Sequence, residues 1–188
     1  MRTFIAIEIS EEIRNGLAQI QSHLRYSGAD VKWVEEQNIH ITMKFLGEVS
    51  EEKSEKIKNI LAKIASETEP FEITIRDIGA FPKIEYPRVI WAGIDKGANE
   101  LKELAQKTDD ALSRLGFEKE RRPFAAHLTI GRVRNLSKNK AALKEKIEAL
   151  NLKPLTLNQC ISSVILFQST LTPKGPIYTK LHEVKFSK

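Results

Sequence analysis

The chain has 188 residues, 41% of them hydrophobic, enough for one compact unit or two closely packed lobes with a sizeable core. A formal net charge of +5 and a pI near 9.2 suit a polyanionic partner without singling out nucleic acid, because a positive field steers any anion. Cys160 is the lone cysteine, which excludes an intramolecular disulfide framework and fits a reducing compartment, its side chain serving as a small apolar filler.

At the N-terminus, RTFIAIEI alternates and places Ile5, Ile7 and Ile9 on one face of a strand. With Glu8 inside it, the run is too short and too polar for a secretory segment or a membrane span, so a cytoplasmic location without membrane contact is expected. Ser10 then serves as the N-cap of a helix with the stripe Ile13, Leu17, Ile20 and Leu24. After the turn SGAD, the stretches VKWV and NIHITMKFLG read as strands. A second helix begins after Ser50, buries Ile57, Ile60, Leu61 and Ile64, and ends before Pro70; FEITIRDIG is again a strand.

The second half repeats the order. A strand RVIWAGID follows Pro87, and a helix with Leu101, Leu104, Ala105, Leu112 and Leu115 stops at Gly116. A short strand near Phe117, the strand AAHLTIGRV, a helix from Ser137 through Leu143, Ile147 and Leu150, and a strand around PLTLNQ complete it. The tail adds two strands joined at TPKGP that close one sheet. Each half thus reads β-α-β-β-α-β. The expected class is α+β, a bilobal pseudo-twofold duplication of a ferredoxin-like unit, with antiparallel sheets facing a central cleft and helices outside. No linker or low-complexity tract intervenes, so residues 1–188 are read as a single domain of two interleaved lobes, from sequence halves of about 1–86 and 87–188.

The halves share more than order. HITMKFLGEVS, residues 40–50, and HLTIGRVRNLS, residues 127–137, carry histidine, threonine and serine at the same offsets, 87 residues apart. Phe4 and Trp91 keep that spacing, as do Glu8 and Asp95. Strand alternation puts His40 and Thr42 on one face and Ile41, Met43 and Phe45 on the other, against the helices. By the same parity His127 and Thr129 oppose Leu128 and Ile130, and a twofold arrangement brings both polar pairs to one cleft.

Two imidazoles and two hydroxyls suit in-line displacement at a phosphodiester. One ring takes a proton from the attacking water and the other gives one to the departing oxygen, while threonine hydroxyls donate to the non-bridging oxygens. Arg132 supplies a guanidinium for the same oxygens only where Gly131 marks a bulge or the strand's end, since strict alternation places it on the Leu128 face. Lys44 has the parity of Thr42 and is a candidate for the phosphate or the RNA backbone. His23 and His182 are read as structural or surface residues. A zinc site lacks a third ligand or an H-E-x-x-H spacing, no G-x-S-x-G elbow marks a serine nucleophile, and neither a P-loop nor G-x-G-x-x-G is present, so no metal and no cofactor are expected.

HITM and HLTI, with RRPFAAHLTIGR and STLTPKGPIY, resemble the two-histidine (2H) phosphoesterase superfamily over nearly the whole chain. Within it the likeness is to the RNA 2′,3′-cyclic phosphodiesterases, also called 2′-5′ RNA ligases. The resemblance implies hydrolysis of a terminal 2′,3′-cyclic phosphate to a 2′-phosphate, with His40 as proton donor to the 3′ oxygen and His127 as the acceptor that activates water. Thr42, Thr129 and Arg132 would hold the phosphate. It also implies joining of a cyclic-phosphate end to a 5′-hydroxyl through a 2′-5′ linkage, with tRNA halves among the candidate substrates. Ala126 stands where relatives often carry proline, which removes no chemical group. No obligate protein partner is evident and a monomer is expected. Two rival readings are a non-catalytic module that holds a nucleotide or RNA end, and a 2H exonuclease trimming RNA 3′ ends.

Overall fold

The computed structural model describes residues 1–187. The chain order is β1 (Arg2–Glu8), α1 (Glu11–Arg25), β2 (Asp30–Trp33), β3 (His40–Glu48), α2 (Glu51–Ser66), β4 (Phe71–Lys83), β5 (Tyr86–Ile94), α3 (Ala98–Ser113), β6 (His127–Asn135), α4 (Lys140–Leu152), β7 (Leu157–Ile161), β8 (Ser163–Thr172) and β9 (Gly175–Lys185). Serine caps start the first two helices as the sequence indicates: Ser10 Oγ accepts Ile13 N–H at 3.3 Å, and Ser50 Oγ accepts Lys53 N–H at 3.2 Å.

The strands form two antiparallel sheets, ordered β3-β1-β8-β9 and β2-β6-β5-β4-β7. The run β3-β1-β8 in one matches β6-β5-β4 in the other, as the repeat of 87 residues requires. Sheets and sequence halves do not coincide, however. The second half's β8 and β9 complete the sheet of β1 and β3, and the first half's β4 joins β5 and β6. At the crossing, β4 and β7 pair antiparallel, Phe71 opposite Ile161.

Ile5, Ile7 and Ile9 face the helices with at most 2% exposure and meet Ile13, Leu17 and Leu24 of α1 in a core that runs through both lobes. Each such side chain contributes about 1.5–3 kcal/mol on burial. Phe4, Ala6, Ile165 and Phe167 form a smaller apolar cluster on the opposite face of the same sheet.

Two expected elements are corrected. No strand forms near Phe117; residues 117–126 are irregular. Two of their backbone groups bind buried side chains instead of an edge ladder, the Asp109 carboxylate accepting Glu120 N–H at 3.3 Å and Lys44 Nζ donating to the Glu118 carbonyl at 2.8 Å. The fourth helix starts at Lys140, three residues after Ser137. Ser137 donates its backbone N–H and hydroxyl to Asn135 Oδ1, at 3.0 and 2.7 Å, and Asn139 holds a positive φ of 53° as the actual N-cap.

Candidate active site

The open faces of the two sheets enclose a cleft of about 490 Å³, and His40, Thr42, His127 and Thr129 all line it. The structure therefore brings together both tetrapeptide motifs, β3 supplying one pair and β6 the other.

Each imidazole is fixed by its own strand's approach. Nδ1 of His40 lies 2.7 Å from the Asn38 carbonyl, and Nδ1 of His127 lies 2.6 Å from the Ala125 carbonyl. A carbonyl only accepts, so in both rings Nδ1 carries the proton and Nε2 is the atom left for chemistry. The same contact, two residues back, occurs at both sites.

The surroundings of the rings differ. His40 packs against Phe4 at 4.9 Å, Tyr178 at 5.3 Å and Phe167 at 6.4 Å between ring centroids. Burial among them lowers its pKa to about 4, against the opposing pull of the hydrogen bond to Asn38. His127 meets Phe81, edge-on at 5.0 Å. Asn38 serves twice: its carbonyl orients His40, and its Nδ2 donates to the Pro176 carbonyl at 3.0 Å, fastening the β8–β9 hairpin that carries Tyr178. Sequence reasoning missed this aromatic shell. The sequence signal that carried it was Tyr178 itself, just past the turn TPKGP.

Both motif strands bulge at the same place. In the pairing of β1 with β3, Ile5 faces Lys44 and Ala6 faces Thr42, which leaves Met43 without a partner. In the pairing of β5 with β6, Ile90 faces Gly131 and Trp91 faces Thr129, which leaves Ile130 without one. One extra residue reverses side-chain parity beyond it. Arg132 accordingly lines the cleft.

The same reversal corrects two expectations on β3. Phe45 is not on the helix face but is 65% exposed along the cleft. Lys44 is 3% exposed; its stem contributes to the cleft wall while its ammonium binds Asp109 Oδ1 at 2.5 Å, the Glu118 carbonyl at 2.8 Å and Glu120 Oε1 at 3.6 Å. With three acceptors around it, that charge is committed within the protein and is not free for a phosphate.

Tyr178 also faces Arg132. Burial pushes its phenol up, opposed by the positive charges of Arg132 and Arg2. Among the described residues no group of three or more His, Cys, Asp or Glu stands together to hold a metal ion, and no helix is long and apolar enough to cross a membrane.

The profile of the family described as LigT like Phosphoesterase matches the chain twice, at residues 7–91 and 93–178. The RNA 2′,3′-cyclic phosphodiesterase of Methanocaldococcus jannaschii is 44% identical over 184 residues, 97% of this chain and 99% of that protein. The protein of the same name from Thermotoga maritima is 36% identical over 186 residues, 99% and 96% of the two chains. A crystal structure of a Thermus thermophilus protein matches with a TM-score of 0.82 at 27% identity, covering 99% of this chain and 98% of that one. E. coli LigT complexed with 3′-AMP matches with 0.77 at 24% identity, covering 100% and 98%, a likeness of fold.

Proposed function

Because the chain belongs to the LigT-like phosphoesterase family and its relatives are named RNA 2′,3′-cyclic phosphodiesterases, we propose that it hydrolyses the terminal 2′,3′-cyclic phosphate of RNA, with a 2′-phosphate as product. The observation that carries this reading is the pair of imidazoles on one cleft, each with Nδ1 tied to a carbonyl and Nε2 unpaired, each beside a threonine.

In this scheme His127 Nε2 takes a proton from water as the water oxygen bonds to phosphorus. The bond from phosphorus to O3′ breaks, and His40 Nε2 gives its proton to O3′. Thr42, Thr129 and Arg132 donate to the non-bridging oxygens, where charge accumulates. His40 must be protonated to act so. Burial keeps it neutral in the empty cleft, and an anionic cyclic phosphate beside Nε2 favours the charged ring and raises its pKa. No step in this scheme calls for a metal. A 5′-hydroxyl in place of water would form a 2′-5′ linkage by the same proton transfers and the same loss of O3′, which makes ligation of RNA ends, tRNA halves included, a second use of one site. A monomer in the cytoplasm completes the proposal.

The test is incubation of the purified protein with a cyclic-phosphate-ended oligonucleotide in EDTA, with product identification. A 2′-phosphate is expected. Inertness, or full activity after His40→Ala, would sink the reading.

A further inference from the structure

The two bulges are each fastened from behind by a buried polar side chain on a helix. On β6 the Ile130 carbonyl accepts the Val34 N–H at 3.0 Å and Nε2 of Gln21 at 2.8 Å. The same Nε2 also donates to the Val34 carbonyl at 2.8 Å, so both its protons are used. Gln21 is 3% exposed and sits in the buried stripe of α1, between Ile20 and Leu24. A polar amide there carries a desolvation cost that an apolar residue of similar size would not, and the carbonyls it joins are those at the bulge and at the end of β2.

On β3 the equivalent place is held differently. Lys44, one residue past the unpaired Met43, reaches inward to Asp109 of α3. Its counterpart on β6 is Gly131, where an added Cβ would lie 2.8 Å from Val31 Cγ1. No long side chain fits there, so the tie comes from the helix as an amide.

We infer that Gln21 is a positioning residue that acts through Arg132. By holding the Ile130 carbonyl it fixes the bulge whose reversed parity turns the guanidinium into the cleft. Without the amide, β6 is freer to resume regular pairing, which sends Arg132 to the opposite face. The inference rests on the reading that Arg132 binds the substrate phosphate.

A double-mutant cycle tests it. Gln21→Leu is expected to lower kcat/KM on a cyclic-phosphate-ended oligonucleotide about tenfold with Arg132 present, and less than about twofold in an Arg132→Ala background, as coupled neighbours behave. Equal losses in both backgrounds overturn the inference, because a residue that only stabilised the fold would act without regard to Arg132. Gln21→Met gives the same comparison should the leucine variant not fold. A crystal structure of either variant reads the bulge without turnover: Arg132 leaving the cleft supports the inference, and Arg132 in place on an intact bulge overturns it. Inert wild type would count against the hydrolase reading, while the variant structure would still decide the role of Gln21.

Discussion

Tyr178 stands edge-on to His40, the ring centroids 5.3 Å apart and the planes at 84°. Together with Phe4 and Phe167 it covers much of the imidazole, and that burial lowers the His40 pKa to about 4. Tyr178→Ala admits water, so the His40 pKa is expected to rise toward the ordinary value near 6.5. NMR titration of the imidazole protons reads this directly, and an unchanged pKa would show that the tyrosine is not the cause.

The same shift sets a dependence of stability on pH. His40 in the folded state binds a proton only near pH 4, whereas the unfolded chain binds it near 6.5. Its neutral form therefore favours folding above about pH 6.5, and that contribution is lost as pH falls toward 4. Urea midpoints measured across that window should fall less steeply for His40→Ala than for the wild type.

Proton transfer by a placed side chain typically accelerates a reaction by about 10²–10⁴-fold. His40→Ala and His127→Ala should each lose kcat on the cyclic phosphate by that order while retaining the native circular dichroism spectrum. With one acid and one base, kcat/KM against pH should be bell-shaped, and a monotonic profile through the histidine range would refute the paired roles.

Thr42→Val and Thr129→Val each remove one donor without changing shape. A hydrogen bond to a charged group contributes about 1.5–3 kcal/mol, so each should slow the reaction by roughly 10–100-fold. Steady-state kinetics on the two variants checks this, and a change in one only would mean that the phosphate sits against one half.

Lys44 and Asp109 form a buried ion pair that joins β3 to α3. Asp109→Ala leaves the buried ammonium with only the more distant, exposed Glu120 carboxylate at 3.6 Å and should cost up to about 3–5 kcal/mol in chemical denaturation, whereas Lys44→Met with Asp109→Leu should recover much of that loss.

The cleft was legible in the sequence to the extent that local rules govern it. Alternation placed His40, Thr42, His127 and Thr129 on open faces, and matched offsets required a twofold relation between them. Past the bulges local rules failed. Gly131 gives a reason to expect irregularity on β6, but nothing in MKF marks the extra residue at Met43, so the directions of Lys44 and Phe45 were inverted. The Phe117 strand was lost for a related reason: Asp109 and Lys44 take up backbone partners that a ladder would have used. The aromatic shell around His40 is assembled from β1, β8 and β9, elements distant in sequence, and periodicity within one element carries no information about such meetings.

The exchange of β4 and β8 between the sheets reaches beyond the cleft. A polypeptide of residues 1–86 alone would hold β2 and β4 without β6, β5 and β7, and β1 without β8, since those partners all lie in the other half. Neither half is therefore expected to fold when produced alone, and mixing the two halves should restore the paired sheets, which circular dichroism of the separate and mixed polypeptides would show.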